Sequence, residues 1–373
     1  MKILLLLSRI ETTGVTTHTL DLTEGLVAKG HEVCLITGGV YEKESARVNH
    51  FYDAFKNLGV TIKEFTTPNG NLLKKGYTSF ATTIQIIKWI KDFDPKVIHA
   101  QSPYLTFLPW LMGKKFTTTI HIMYLKRNFK FKNPQHLIAI SQESHDFSLE
   151  EFGIKKEDIT IVHHGVSSRF ATPVPNEDKK RLKHKYLMGE DKVIIGFVGS
   201  ISLRKGTDVL VNALKNLKED TKRNIQFIFL GGLQDSKEHT WLKKLLTEAQ
   251  LCHLVHVVPF EDPKPFYDIM DVFVLPSRME SFPLVTLEAM MSRCCVIRSN
   301  TEGAYEQIDD GKTGLLFENE NHGQLTALLE KVIASKTLRE ELADNAKEKA
   351  LREFTIPAMT ERTLKVYDKI YNY

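Results

Sequence analysis

The sequence predicts an α/β protein made of two Rossmann-like domains, each with a parallel sheet, and three observations carry that expectation. At 373 residues the chain exceeds what one hydrophobic core usually serves. Buried-strand runs such as Ile3 to Leu7, Val33 to Ile36, Val193 to Gly199 and Val272 to Leu275 alternate with helical segments, as parallel strands joined by crossover helices do. Loops bearing glycine follow the first strand of each half, at Gly14 and at Gly199 to Gly206.

In the first half, the strand Ile3 to Leu7 leads through a loop at Ser8 to Val15 into a helix from Thr19 to Lys29. Residues 77–93 read as a helix. An Asp94-Pro95 turn then opens a buried strand ending at His99 and Ala100, and Thr117 to Ile122 is a further strand that contains His121. Ligands of open α/β sheets gather at strand ends, so His99 and His121 are candidates, whereas His18 on a helix face reads as structural. Leu137 to Ser141 and Ile159 to Val166 complete this half. Residues 171–190, with Pro173, Pro175 and a charged run, read as a linker carrying a short exposed helix.

The second half opens with Val193 to Gly199, a loop at Ser200 to Gly206 and an amphipathic helix from Asp208 to Leu217. Strands follow at Ile225 to Leu230 and Val255 to Phe260. The stretch from Pro276 to Glu288 joins the strand Val272 to Leu275 to a helix expected to begin at Ser281 or Phe282, with Pro283 in its first turn. That places Glu280 just before the helix and Glu288 two turns inside it. The N–H groups of the first turn, with the helix dipole behind them, make a site for an anion such as phosphate. A phosphate-bearing ligand with hydroxyls on either side fits two carboxylates so arranged.

Composition narrows the classes. Net charge is +4, and residues 1–170 hold 21 Lys plus Arg against 16 Asp plus Glu. Within that half, Lys114 to Lys132 carries six basic residues and no acidic one, interleaved with Phe116, Tyr124, Phe129 and Phe131. This is a candidate surface for anionic lipid; nucleic acid is not expected as a partner. Four Cys show neither a disulfide framework nor metal-ligand spacing, which suits a reducing cytoplasm. The adjacent His163 and His164 suggest metal only with partners, and no ligand spacing supplies them, so no metal is expected. No apolar run approaches the length that crosses a bilayer. Ile3 to Leu7 is too short for a signal-peptide core and reads as the first strand.

Glu280 and Glu288, with Ser281-Phe282 after the first and Leu287-Glu288-Ala289-Met290 around the second, form a pattern that resembles the donor-site signature of retaining glycosyltransferases of the GT-B fold, family four. Gly303, Glu306, Gly311 and Gly314 continue it. The resemblance implies two domains facing across a cleft: 1–170 on the acceptor side, joined by the tail 355–373, and 191–354 holding a nucleotide sugar. It implies that Glu280 addresses the transferred sugar, Glu288 the ribose hydroxyls, and Phe282, Pro283 and Leu284 the phosphates and sugar. His121, in Thr-Ile-His, matches the active-site His beside the sugar. Gly14 matches the first glycine-rich loop, and Gly199, Lys205 and Gly206 match the phosphate-binding loop.

Five residues, in four places, depart from the family pattern. Thr13 and Pro283 stand where Gly is usual, Ser200 where Arg is usual, and His163-His164-Gly165-Val166 where Pro-Asn-Gly-Val is usual. With no guanidinium at position 200, Arg204 beside Lys205 is the candidate second cation.

The activity implied is transfer, with retention, of a hexose or N-acetylhexosamine from a nucleotide sugar. UDP is the expected nucleotide and a glycan or lipid-linked acceptor of the cell envelope the expected acceptor. No cofactor is expected, and the protein is placed in the cytoplasm or peripherally on the inner face of the plasma membrane. A catalytically silent GT-B partner subunit and a nucleotide-sugar epimerase are the alternatives.

Overall fold

The computed structural model describes every residue except 41–45, 68–70, 124, 126–127, 233–235 and 372–373, and for 46, 47, 72, 73 and 232 the backbone alone. The chain forms two compact units, Met1–Gly165 with Ile356–Tyr373, and Val166–Thr355.

The first unit contains strands β1 (Lys2–Leu7), β2 (Glu32–Thr37), β3 (Thr61–Glu64), β4 (Val97–Ala100), β5 (Thr117–Ile120), β6 (His136–Ala139) and β7 (Ile159–Ile161). They pair in parallel in the order β3-β2-β1-β4-β5-β6-β7. Ile3 through Leu7 are buried on both faces of the sheet, which is why β1 reads as an uninterrupted apolar run instead of an alternating one. The helix Ile356–Tyr371 belongs to this unit, with Met359, Val366, Tyr367 and Ile370 in the same core as Leu5, Leu22 and Leu26.

The second unit contains β8 (Val193–Val198), β9 (Ile225–Gly232), β10 (Val255–Pro259), β11 (Val272–Leu275), β12 (Cys295–Ser299) and β13 (Leu315–Phe317), parallel and in the order β10-β9-β8-β11-β12-β13. In each sheet the strand order reverses beside the unit's first strand, between β1 and β4 and between β8 and β11. Ligand-binding loops of open parallel sheets lie at the carboxyl ends of strands flanking such a reversal. The loops after β1, β8 and β11 are those the sequence singled out.

Several boundaries differ from the sequence reading, each for a local reason. Residues 166–170 belong to the second unit: Phe170 is buried against Tyr267, with ring centroids 6.0 Å apart, and its carbonyl accepts from the Ser292 hydroxyl at 3.0 Å. Residues 171–190 are not a free linker. The Val174 amide donates to the Asp268 carboxylate at 2.7 Å, and Lys185 and the Tyr186 hydroxyl both reach Glu261 at 3.1 Å. The first helix starts at Gly14, five residues before Thr19: Thr13 is extended, and its carbonyl accepts the Thr17 amide at 3.2 Å. The helix expected at 77–93 runs Leu72–Phe93, since the Asn71 side chain accepts the Lys74 amide at 3.0 Å and starts it a turn earlier. β5 stops at Ile120, one residue short of His121.

Candidate active site

In the second unit the site grows from two loops that lock together. The helix after β11 is Leu284–Met291, and Pro283 is its N-cap, with φ −65° and ψ 122°. The extended ψ corrects the expectation that Pro283 lies in the first turn: the helix starts after it. Glu288 is consequently the fifth helical residue, not two turns inside. The Thr286 amide turns back to the Pro283 carbonyl at 3.3 Å. The amides of Leu284 and Val285 stand at the helix end, where no intrahelical acceptor exists. Phe282 is buried against Phe354, with centroids 5.8 Å apart, so its ring serves packing while its backbone lines the turn. Gly303, at φ +68°, lies under this turn, and a Cβ there would come within 2.7 Å of the Ser281 carbonyl oxygen and 2.8 Å of the Phe282 ring. The side-chain amide of Gln307 donates to the Pro283 carbonyl at 3.1 Å from the same side.

The loop after β8 meets this turn directly. Gly206, at φ +67°, packs so closely on Pro276 that a Cβ would stand 1.8 Å from the Pro276 carbonyl oxygen, which explains glycine on both conformational and steric grounds. Arg278 fastens the two loops. Its Nη1 and Nη2 each donate to Asp208 at 2.7 Å, Nη1 also donates to the Leu203 carbonyl, Nε pairs with Glu320, and its amide donates to the Arg204 carbonyl at 2.9 Å. The Asp208 carboxylate, then Glu320, holds the Arg278 guanidinium even more firmly protonated than usual. Sequence reasoning missed Arg278 although it lies inside the Pro276 to Glu288 stretch, because its side-chain acceptors are 42 to 75 residues away and carry no local signature.

Lys205 and Glu280 form an ion pair between the two loops, with side chains only 14% and 9% exposed. Burial opposes ionisation of Glu280, but the charge and hydrogen bond of Lys205, with Arg204 beyond, outweigh it and hold the carboxyl below its ordinary range. Arg204 is exposed, its Nη1 3.3 Å from the Met279 carbonyl. Ser200 is exposed at the end of β8. The Gly199 amide donates to the Leu230 carbonyl at 2.9 Å and is occupied by the sheet. Gly199 therefore brings no free donor to an anion, only close approach. Glu288 is buried, and one of its oxygens accepts from the Tyr267 hydroxyl at 3.0 Å. Burial, and then the Glu288 carboxylate, push the Tyr267 phenol well above its usual range, so it stays a donor.

The first unit holds the histidines. His121 follows β5 and is buried, with Nε2 2.9 Å from the Gln101 Oε1. His99 bonds to the Tyr367 hydroxyl and the Thr119 hydroxyl, both at 2.8 Å, and to the Gln101 amide nitrogen at 3.2 Å; burial lowers its pKa to about 3. Its place is in a buried network tying the last helix to the sheet. His18 and His164 pack against His121, a grouping the sequence reading missed because the three lie far apart in the chain, on separate connections. Gly14 opens the first helix in exposed surroundings, and a Cβ there would meet nothing within 4 Å among the described residues. The packing of the described residues does not require glycine at that position.

Of the basic stretch, Tyr124, Lys126 and Arg127 lie outside the described residues. Phe116 and Phe131 are buried in the core and cannot face a membrane; Phe129 is 71% exposed. The Lys115 ammonium donates to the Ile370 carbonyl at 3.0 Å, and Lys132 lies 4.3 Å from the Trp110 ring centroid. No helix among the described residues is long and apolar enough to cross a membrane.

Two family models match the chain: "Glycosyltransferase Family 4" over residues 12–170 and "Glycosyl transferases group 1" over residues 178–349. The capsular polysaccharide biosynthesis glycosyltransferase CapM of Staphylococcus aureus is 26% identical over 253 residues, which cover 66% of this chain and 65% of that protein. The N,N'-diacetylbacillosaminyl-diphospho-undecaprenol alpha-1,3-N-acetylgalactosaminyltransferase of Campylobacter jejuni is 28% identical over 248 residues, covering 66% of this chain and 62% of its own length. The chain thus aligns with slightly less than two thirds of each of these two relatives. The Anabaena HepE structure in complex with UDP superposes with a TM-score of 0.83 at 16% identity, covering 99% of this chain and all of that one. The two family models between them account for most of the sequence, both sheets are parallel as expected, and the chain belongs to the family four glycosyltransferases of the GT-B fold.

Proposed function

We propose that the protein is a retaining glycosyltransferase that takes a hexosyl or N-acetylhexosaminyl group from a UDP-sugar and passes it to a glycan or lipid-linked acceptor of the cell envelope. The observation that carries this reading is the buried Lys205–Glu280 pair, set between the Gly206 loop and the turn that opens the helix Leu284–Met291. A diphosphate arriving at the helix end draws on the Leu284 and Val285 amides, on Lys205 and on Arg204. As Lys205 turns to the phosphate, Glu280 is left ionised and able to accept hydrogen bonds from sugar hydroxyls. Glu288, presented by Tyr267, accepts from the ribose. Phe282 and Pro283 shape the turn, and Gly14 and Gly199 leave room for the ligand. His121 contributes a hydrogen bond to the sugar.

In the transfer step the bond between the anomeric carbon and the phosphate oxygen breaks, and a bond from the same face to the acceptor oxygen forms. The acceptor proton passes to the departing diphosphate. The charge on that leaving group is met by Lys205, Arg204 and the helix end, so the step as proposed needs no divalent ion at the diphosphate.

The Campylobacter relative's name, with its undecaprenol-linked acceptor, supports a lipid-linked acceptor here, and HepE's bound UDP supports the nucleotide. We place the protein in the cytoplasm, where a lipid-linked acceptor would hold it at the inner face of the membrane. Phe129, with the exposed Trp110, Leu111 and Ile122, supplies apolar side chains beside Lys114, Lys130 and Lys132. Sedimentation with anionic liposomes at low salt is expected, and replacing Lys114, Lys130 and Lys132 by Gln should reduce it; no sedimentation of the unaltered protein would refute membrane attachment.

The activity is tested with a panel of nucleotide sugars, following slow hydrolysis to free nucleotide and sugar. Release of UDP from one member supports transfer. An altered sugar still joined to its nucleotide would identify an epimerase, and absence of both binding and turnover would identify a silent partner subunit.

A further inference from the structure

His18, His121 and His164 are brought together by the parallel sheet. His18 lies on the helix after β1, His121 directly follows β5, and His164 follows β7, so all three stand at the carboxyl edge of one sheet. We propose that they form a binding site for one divalent transition-metal ion, such as zinc, held by three imidazole nitrogens with a fourth position open to an oxygen ligand.

The geometry is close to what such an ion needs. One ring nitrogen from each residue lies within 4.8 Å of the other two, the one such grouping among the described residues. The ring centroids are 4.8, 4.4 and 5.5 Å apart. Three imidazoles on a tetrahedral zinc, at the usual metal–nitrogen distance of about 2.0–2.1 Å, have centroids about 5 Å apart and nitrogens about 3.4 Å apart. The rings are thus already at the right separation. Turning each to move its nitrogen inward by less than about 1 Å completes the site.

The polar groups point the same way. His18 is 3% exposed, and neither of its ring nitrogens has a hydrogen-bond partner among the described residues. A buried, unbonded imidazole is a cost that a metal bond removes. His121 is prepared as metal ligands usually are. Burial keeps His99 neutral, and the Gln101 amide nitrogen lies against its Nε2, so Gln101 presents Oε1 to His121 and takes its Nε2–H. The lone pair of His121 then rests on Nδ1, which has no hydrogen-bond partner among the described residues. Three imidazoles without a carboxylate suit zinc, nickel, copper or cobalt and disfavour magnesium and calcium. With an ion bound, the remaining His121 N–H stays on Gln101, and contact with a ligand oxygen passes from the ring to the ion's fourth position.

His164 stands where the family pattern given above has Asn. The site's existence does not depend on the sugar-transfer reading. The test is metal analysis of the full-length protein after stripping with chelator, incubation with zinc chloride and dialysis. Cobalt chloride serves as a second probe through the visible spectrum of four-coordinate cobalt. About one zinc per chain is expected, together with the tetrahedral cobalt spectrum. His18→Ala and His164→Asn should abolish both signals, and Gln101→Ala should weaken zinc affinity by about 10–100-fold. His164→Asn restores the residue usual at that position and should fold, which its melting curve checks. Zinc well below one per chain in the unaltered protein, or unchanged zinc and cobalt signals in a folded His164→Asn, would overturn the site and leave three packed, metal-free rings.

Discussion

Replacing Lys205 by Ala removes the cation from a pair whose carboxylate, Glu280, is 9% exposed. Breaking a buried pair from one side costs about 3–5 kcal/mol, because the remaining charge is stranded. Arg204 still favours the ionised form of Glu280, so the lower end, about 3 kcal/mol at neutral pH, is expected. For a unit of this size that corresponds to a fall in Tm of about 6–12 °C.

The sign of the pH dependence follows from the carboxyl. In the unaltered protein its folded pKa is depressed, so it contributes stability above its unfolded value of about 4.3, lost as pH falls through the lower folded value. Without Lys205, burial dominates and the folded pKa rises above the unfolded one. Relative to the unaltered protein the variant's loss is then largest near neutral pH, shrinks as pH falls, and vanishes only below the depressed folded value of the Glu280 carboxyl. Scanning calorimetry of both proteins between about pH 4.5 and 7.5, reading the transition of the second unit, measures this directly. Adding Glu280→Gln to Lys205→Ala should recover much of the loss at neutral pH. A loss below about 1 kcal/mol at pH 7, or one that does not shrink toward pH 4.5, would refute a desolvated Lys205–Glu280 pair.

Glu288→Ala should weaken binding of free UDP, since each charge-assisted bond to the ribose is worth about 1.5–3 kcal/mol, whereas Glu280→Ala should spare UDP and damage turnover. Calorimetric titration with UDP separates the two, and equal losses would mean the carboxylates have been assigned wrongly. Arg204→Ala should cost about 2–4 kcal/mol in kcat/KM if Arg204 supplies the second charge on the leaving group. Ser200→Arg in that background should recover part of it, while turnover within about twofold of the unaltered enzyme would leave Lys205 to act alone.

The fold was legible because a parallel sheet writes its strands as unbroken apolar runs, and Ile3 to Leu7 and Val272 to Leu275 were read as such from the sequence. The meeting of Lys205 and Glu280 was accessible only through family resemblance, since 75 residues separate them and no local pattern joins them. The helix start at Pro283 was placed two or three residues early because proline fixes φ but not ψ, and ψ decides whether the helix has begun. The histidine cluster was illegible for a different reason. His18, His121 and His164 follow three strands that are not neighbours in the sheet, and metal sites are read from sequence only when ligands share an element or a short loop. His164 was visible as an oddity beside His163, but not its partners.

The interlock at Gly206 and Arg278 constrains how this protein can be altered by recombination. Because the Gly206 backbone rests on Pro276, and Arg278 grips Leu203, Arg204 and Asp208 at once, the segments 199–208 and 276–288 are two halves of a single mechanical part. A chimera that takes one segment from a relative and keeps the other would inherit mismatched halves even if every ligand-facing side chain were preserved. Grafting a different donor preference onto this scaffold therefore means moving both segments together, with Gly303 and Gln307 beneath them, as one cassette assembled from three separate stretches of the gene.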